Sequence, residues 1–229
     1  MILLKIIFIT GISKGLGSSL FSNITKLKDH YVIGVGRNFT DDQLALSRLN
    51  ENFKIMFCDF GYKPSINLKE LDLTKFDEII FINNAGTIEP IRKVGSLGDF
   101  DDIQKHININ LTSVIYFINS IISFKKRETP LKILNITSGA AEKPIQGWSL
   151  YSSTKKGIKT FLNSLKEEST NIDVHHIDPG VMDTEMQKSI RDSNPKDFPL
   201  VNDFRDFYLK GELKTPDQVA RGIVEEFLT

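Results

Sequence analysis

The first seventeen residues constrain this chain more than any other stretch of it. The run from Met1 to Thr10 is apolar and rich in β-branched residues. It stops at Gly11 and gives way to Thr10-Gly11-Ile12-Ser13-Lys14-Gly15-Leu16-Gly17, and then to apolar residues at helical spacing, Leu16, Leu20, Ile24 and Leu27. Such an unbroken apolar run reads as a strand buried on both faces, the kind parallel sheets use. Strand, glycine turn and helix come in the order that a dinucleotide site requires. Gly11 permits the tight turn, Gly15 lets the backbone approach a pyrophosphate, Gly17 lets helix and strand pack closely, and the helix N-terminus faces the negative charge.

The same alternation continues along the chain. Strands are predicted near 2–10, 31–36, 53–58, 77–83, 130–138 and 172–178, with helical patterns between them, the longest near 99–127 and 149–169. The expectation is an α/β fold: a doubly wound parallel sheet with helices on both faces and right-handed connections. At 229 residues and 40% hydrophobic, with no repeat or linker, the chain reads as one domain over 1–229. A formal charge of zero favours neither nucleic acid nor an anionic membrane. No apolar segment is read as long enough to span a bilayer, and the first apolar run is read as a strand rather than a signal peptide. One cysteine, Cys58, forms no internal disulfide, which suits a reducing, cytoplasmic compartment. His30, His106, His175 and His176 make no metal-ligand spacing, so no metal is expected.

Chemistry enters at Ser138, Tyr151 and Lys155. Tyr151 and Lys155 are at i and i+4 of a predicted helix, which puts phenol and ammonium on one face. A free phenol titrates near pH 10, and bringing it to neutrality takes roughly 4 kcal/mol, which a nearby Lys⁺ and a cationic nicotinamide ring would largely supply. Ser138 would hydrogen-bond the reacting oxygen. The second strand ends on Arg37, where an arginine accommodates an adenosine 2′-phosphate and an acid would bond a 2′-hydroxyl; with Lys14 in the glycine loop, NADPH is preferred over NADH.

Taken in order, these motifs resemble the short-chain dehydrogenase/reductase family, with T-G-x-x-x-G-x-G and Y-x-x-x-K at the two ends. Between and beyond them stand Asn83-Asn84-Ala85-Gly86, Asn110 in I-N-L-T, Ser138 in I-T-S-G, and Pro179-Gly180-Val181 with Thr184. The resemblance implies a Rossmann-type sheet, catalytic Ser138, Tyr151 and Lys155, and Asn110 holding a water that links Lys155 to solvent. It further implies Asn83, Ala85 and Gly86 along the adenosine, Asp59 on the adenine, and Pro179, Val181 and Thr184 about the carboxamide.

The segment 181–214 is expected to be a substrate lid, since long loops in compact domains are usually functional. Trp148, Met182 and Met186 are candidate substrate contacts. Here T-S-G-A-A, K-P-I-Q-G-W-S-L-Y and P-G-V-M-D-T-E-M-Q resemble the benzil reductases that form (S)-benzoin, and more loosely sepiapterin reductases. Those relatives imply NADPH-dependent reduction of a vicinal diketone or a side-chain carbonyl. The chain ends at or just after its last helix, where relatives usually add a seventh strand and where sepiapterin reductases place a pterin-anchoring acid. The expected assembly is a homodimer through the helices around 99–127 and 149–170. A non-catalytic dinucleotide-binding sensor is the alternative in a different class, and a broken Ser/Tyr/Lys set would favour it.

Overall fold

The computed structural model describes residues 4–28, 30–62, 64 and 68–229. Its strands are β1 Lys5–Thr10, β2 His30–Gly36, β3 Phe53–Phe57, β4 Glu78–Asn83, β5 Leu131–Ile136 and β6 Ile172–Ile177. All neighbours run parallel, in the order β3-β2-β1-β4-β5-β6. The predicted start of the first strand, Ile2 and Leu3, lies outside the described residues. The helices are α1 Gly15–Ile24, α2 Asp41–Leu49, α3 Phe100–Ile107, α4 Ser113–Phe124, α5 Ser149–Glu168, α6 Glu185–Arg191, α7 Val201–Leu209 and α8 Pro216–Phe227. This is the Rossmann-type, doubly wound sheet that the alternation predicts, with six strands among the described residues.

The period of two in β1 sorts its side chains onto two cores. Ile6 and Phe8 face Val114, Phe117, Ile118 and Ile121 of α4 and Ile158 and Leu162 of α5. Ile7 and Ile9 face Leu16, Leu20 and Ile24 of α1 and Ala220, Ile223 and Val224 of α8. His175 and His176 divide in the same way: the first meets Phe227 of α8, the second bonds Asn163 of α5. Winding reverses between β1 and β4, so the crevice at their carboxyl ends is where an open α/β sheet takes its ligand.

Three expectations need correction. The predicted helix over 99–127 is two helices, α3 and α4, joined by a wide π turn at Asn108–Thr112, and it ends at Phe124. That stretch is also, by length and composition, the one among the described residues able to cross a membrane, contrary to the reading that none is. In the fold its apolar side lies on the sheet, where Phe117 packs against Phe8 and Phe81 with ring centres 5.6 and 5.0 Å apart. The segment 181–214, read as largely aperiodic, contains α6 and α7. Thr184 caps α6 by accepting from the Gln187 amide.

Candidate active site

The crevice has two lips, the glycine loop after β1 and Asn84-Ala85-Gly86 after β4. Thr10 ties them together: its hydroxyl accepts from the amides of Asn84 and Ala85 at 3.0 and 2.9 Å. Asn84 answers by donating Nδ2 to the carbonyls of Thr10 and Gly11 at 2.9 and 3.2 Å. Gly11 has φ +74, and a Cβ there would lie 2.9 Å from the Ala85 Cα, so the position demands glycine for conformation and space alike. Ser13 and Leu16 flank the turn, Leu16 buried in the core beneath it. Helices α2, α6 and α8 each begin on a threonine whose hydroxyl accepts a first-turn amide, whereas α1 begins on Lys14 with no side-chain cap. Its first-turn N–H groups are left for an anion.

Ser138 follows β5, and Tyr151 and Lys155 share a buried face of α5. Burial raises the Tyr151 phenol to about 12; a hydrogen bond from Ser138 opposes the rise and the Asp178 carboxylate adds to it. Lys155 is not among the groups that lower it. The reason is geometric: Lys155 Nζ donates to the Ile136 carbonyl at 2.8 Å and stands 5.8 Å from the centre of the Tyr151 ring. Burial lowers Lys155 to about 8, with Asp178 pulling the other way. At neutral pH the phenol is therefore protonated and the amine mostly charged, the states needed to give a proton to a developing alkoxide. Asp178 is a participant that sequence reasoning missed; it precedes Pro179 directly, without a spacing that marks it.

Asn110, predicted inside a regular helix, is in the π turn and nearly inaccessible. Its carboxamide bonds both backbone groups of Thr87, Oδ1 from the N–H at 2.8 Å and Nδ2 to the carbonyl at 2.7 Å. His106, one turn earlier, completes the cluster with its ring edge toward Tyr151 at 6.4 Å. Neither Thr87 nor His106 was expected from the sequence; an amphipathic helix buries a histidine for many reasons, and no pattern singles this one out.

On the adenosine side Arg37 Nη1 lies 3.9 Å from Asp59 Oδ2, with the arginine more than half exposed. Lys14, with Gly15, Thr184, Lys188 and Arg191, lines an open groove of about 510 Å³. The ends of the segment 181–214 are joined, the Lys214 N–H to the Val181 carbonyl at 3.2 Å and the Asp183 N–H to the Lys214 carbonyl at 3.0 Å. Trp148 stacks on Phe198 at 4.7 Å and meets Phe204 and Tyr151 edge-on at 5.5 and 5.7 Å. It is thus a wall between lid and phenol, at the start of α5 but without a side-chain cap. Met186 is exposed on α6, while Met182 packs toward the α1 and α8 core rather than toward Tyr151.

A parallel sheet with a glycine loop at its switch point and a Ser/Tyr/Lys set beside it defines a dinucleotide-dependent oxidoreductase. Residues 5–195 match the short chain dehydrogenase family, and the chain belongs to that family. It is 32% identical to a benzil reductase ((S)-benzoin forming) of Bacillus subtilis over 95% of this chain and 90% of that protein. A sepiapterin reductase of Bos taurus is 30% identical over 59% of this chain and 51% of that one. Among solved structures, the KRED1-Pglu enzyme superposes with a TM-score of 0.81 at 28% identity, covering 94% of this chain and 91% of that one.

The family binds a nicotinamide dinucleotide, and the residues here fit one. The uncapped start of α1 and the glycine turn suit a pyrophosphate. Asn83 Oδ1 at the end of β4 is buried with no partner among the described residues, an acceptor available to the ligand. A Cβ at Gly86 would come 3.2 Å from Asn110 Oδ1, so that turn is closely fitted against the carboxamide.

Proposed function

We propose that this oxidoreductase is an NADPH-dependent carbonyl reductase acting on a ketone, a 1,2-diketone of the benzil type. The observation that carries the reading is the Ser138, Tyr151 and Lys155 set at the carboxyl end of β5, facing the glycine loop across the crevice. When bound, the reduced nicotinamide supplies the hydride. Tyr151 gives its proton to the carbonyl oxygen as charge develops, Ser138 donates a hydrogen bond to the same oxygen, and Lys155 holds positive charge near both and bonds the ribose. Asn110 keeps the Gly86–Thr87 turn in place.

NADPH rather than NADH is supported by Arg37 at the end of β2. The diketone is supported by the similarity to the Bacillus subtilis benzil reductase and by the aromatic wall of Trp148, Phe198 and Phe204. A sensor without turnover would have no need of three intact side chains in one site, and pterin reduction draws only on the shorter match to sepiapterin reductase. The test is a panel of 1,2-diketones, pterins, aldehydes and quinones with NADPH, run on the parent and on Tyr151→Phe. Benzil should lead the panel, and the phenylalanine variant should lose reduction while binding NADPH within a few-fold of the parent. Most of the activity surviving in that variant would remove Tyr151 as donor, and no turnover of any panel member would favour the sensor.

A further inference from the structure

The carboxamide of Asn110 has one orientation open to it. Thr87 offers one backbone donor and one backbone acceptor, met by Oδ1 at 2.8 Å and Nδ2 at 2.7 Å, and a reversed amide would set like against like at both. The second Nδ2 hydrogen then points at His106 Nε2, 2.8 Å away. That ring nitrogen has to be bare. Nδ1 lies 2.6 Å from the Glu89 carbonyl, which only accepts, so the proton is on Nδ1. Thr154 Oγ1, 3.2 Å from Nε2, has carbonyls of Tyr151 and Leu150 at 3.0 and 3.2 Å for its own hydrogen. His106 is 1% exposed, so bulk water does not compete with these partners.

Building on the reductase reading, we propose that His106 is a positioning residue of the active site, a neutral Nδ1–H imidazole that locks the Asn110 carboxamide and through it the Gly86–Thr87 turn beside Lys155. The turn lies against the carboxamide: a Cβ at Gly86 would be 3.2 Å from Asn110 Oδ1, with Lys155 Nζ at 3.8 Å in ordinary contact. A proton on Nε2 would oppose N–H to N–H. Thr154 Oγ1, 3.2 Å from Nε2 and 3.4 Å from Asn110 Nδ2, is then the acceptor for which both hydrogens compete, and the contest pulls the carboxamide off its Thr87 bonds.

The titratable and charged groups that face the ring are Lys155 and Tyr151 from α5 and Glu89 from the loop after β4. The Glu89 carboxylate bonds the Ile91 amide, so this loop meets His106 through its backbone. Burial, and then the charge of Lys155, hold His106 below the usual histidine range, against the bond to Glu89. Neutrality is thus kept at pH 7 and lost in acid, and with it the locked turn.

Three variants and one spectrum test this. The parent should show an acid limb in kcat for benzil with NADPH, at a pH below the ordinary histidine value. His106→Gln keeps an acceptor for Asn110 and cannot titrate, so it should keep most of the plateau rate and lose the limb. His106→Leu should lower kcat by at least about tenfold at every pH with the KM for NADPH within about threefold, a pattern of misplacement rather than lost binding. Asn110→Ala, which removes what the histidine locks, should make His106→Leu cost nothing further. In 15N histidine spectra, the signal absent from His106→Gln should be a neutral Nδ1–H tautomer at pH 7. A charged or Nε2–H imidazole, an acid limb unchanged in the glutamine variant, or full activity in the leucine variant would overturn the proposal. The spectrum needs no turnover: if the parent fails to reduce benzil, the reductase reading fails while the tautomer still decides the role of His106.

Discussion

Lys155 Nζ donates to the Ile136 carbonyl at 2.8 Å, in the core behind the phenol, instead of reaching the Tyr151 oxygen. The ammonium is held by the last residue of β5, two residues before Ser138, so strand and catalytic helix are joined at the point where the chemistry takes place. Its charge is a burden on the fold.

The burden has a measurable pH window. In the folded chain Lys155 titrates at about 8 against an ordinary 10.5, so between those values the unfolded chain binds the extra proton. Stability therefore rises as pH climbs through 8, and the full penalty is present below it. Tyr151, raised to about 12 from 10.0, works oppositely but only above pH 10, where the folded chain keeps a proton that the unfolded chain has lost. Lys155→Met should be inactive, more stable than the parent at pH 7 by on the order of 1–3 kcal/mol, and without the rise between pH 8 and 9.5. Urea unfolding at three pH values checks this.

Cofactor preference is expected to follow Arg37. Replacing it by aspartate exchanges a partner for a 2′-phosphate for one suited to a 2′-hydroxyl. The ratio of kcat/KM for NADPH to that for NADH should fall at least about tenfold, or about 1.4 kcal/mol. Asp59, 3.9 Å from the guanidinium, would then face a second carboxylate, so part of the fall should disappear at high salt. An unchanged ratio would make Arg37 a surface charge.

The lid can be loosened at one glycine. Gly147 has φ +86, and a Cβ there would overlap the Asp197 carbonyl oxygen, the residue before the Phe198 that stacks on Trp148. Gly147→Ala should destabilise the chain by about 1–3 kcal/mol and unstack that pair. Trp148 is the only tryptophan, so its fluorescence should shift red. The KM for the ketone should rise more than the KM for NADPH, measured in the same titrations.

Assembly is expected to be a dimer closed through α4 and α5, an isologous arrangement of four helices. Tyr116 and Phe124 stand out from α4 with 44% and 37% of their surface exposed, next to partly buried Ile115, Ile122 and Phe161. Light scattering should give twice the chain mass, and Tyr116→Arg should give a monomer. A stable tetramer in the parent would count against this geometry.

What the sequence made legible follows from what is local. Runs such as Lys5–Thr10 and Glu78–Asn83 announce buried strands by composition, and the i, i+4 pair at Tyr151 and Lys155 needs only a helix to share a face. The π turn does not announce itself, because the extra residue is accommodated where Asn110 meets Thr87, a partner 23 positions away. The fixed tautomer of His106 depends on that same pairing. Helix α6 was readable after all: Thr184 with Gln187 three residues on is a start signal of the kind that Thr40 and Gln43 use for α2. Spacing likewise places Lys155 on the right face and says nothing about the Ile136 carbonyl that captures it.

Because Thr10 and Asn84 bind one another across the switch point, the two lips of the crevice are tied to each other. The boundary expected to admit the cofactor is then the opposite one, where α6 and α7 lie between the joined ends Val181 and Lys214. A slow phase in cofactor binding is expected to belong to that boundary, and changes at its joined ends should alter how long a cofactor stays without altering the cradle in which it lies.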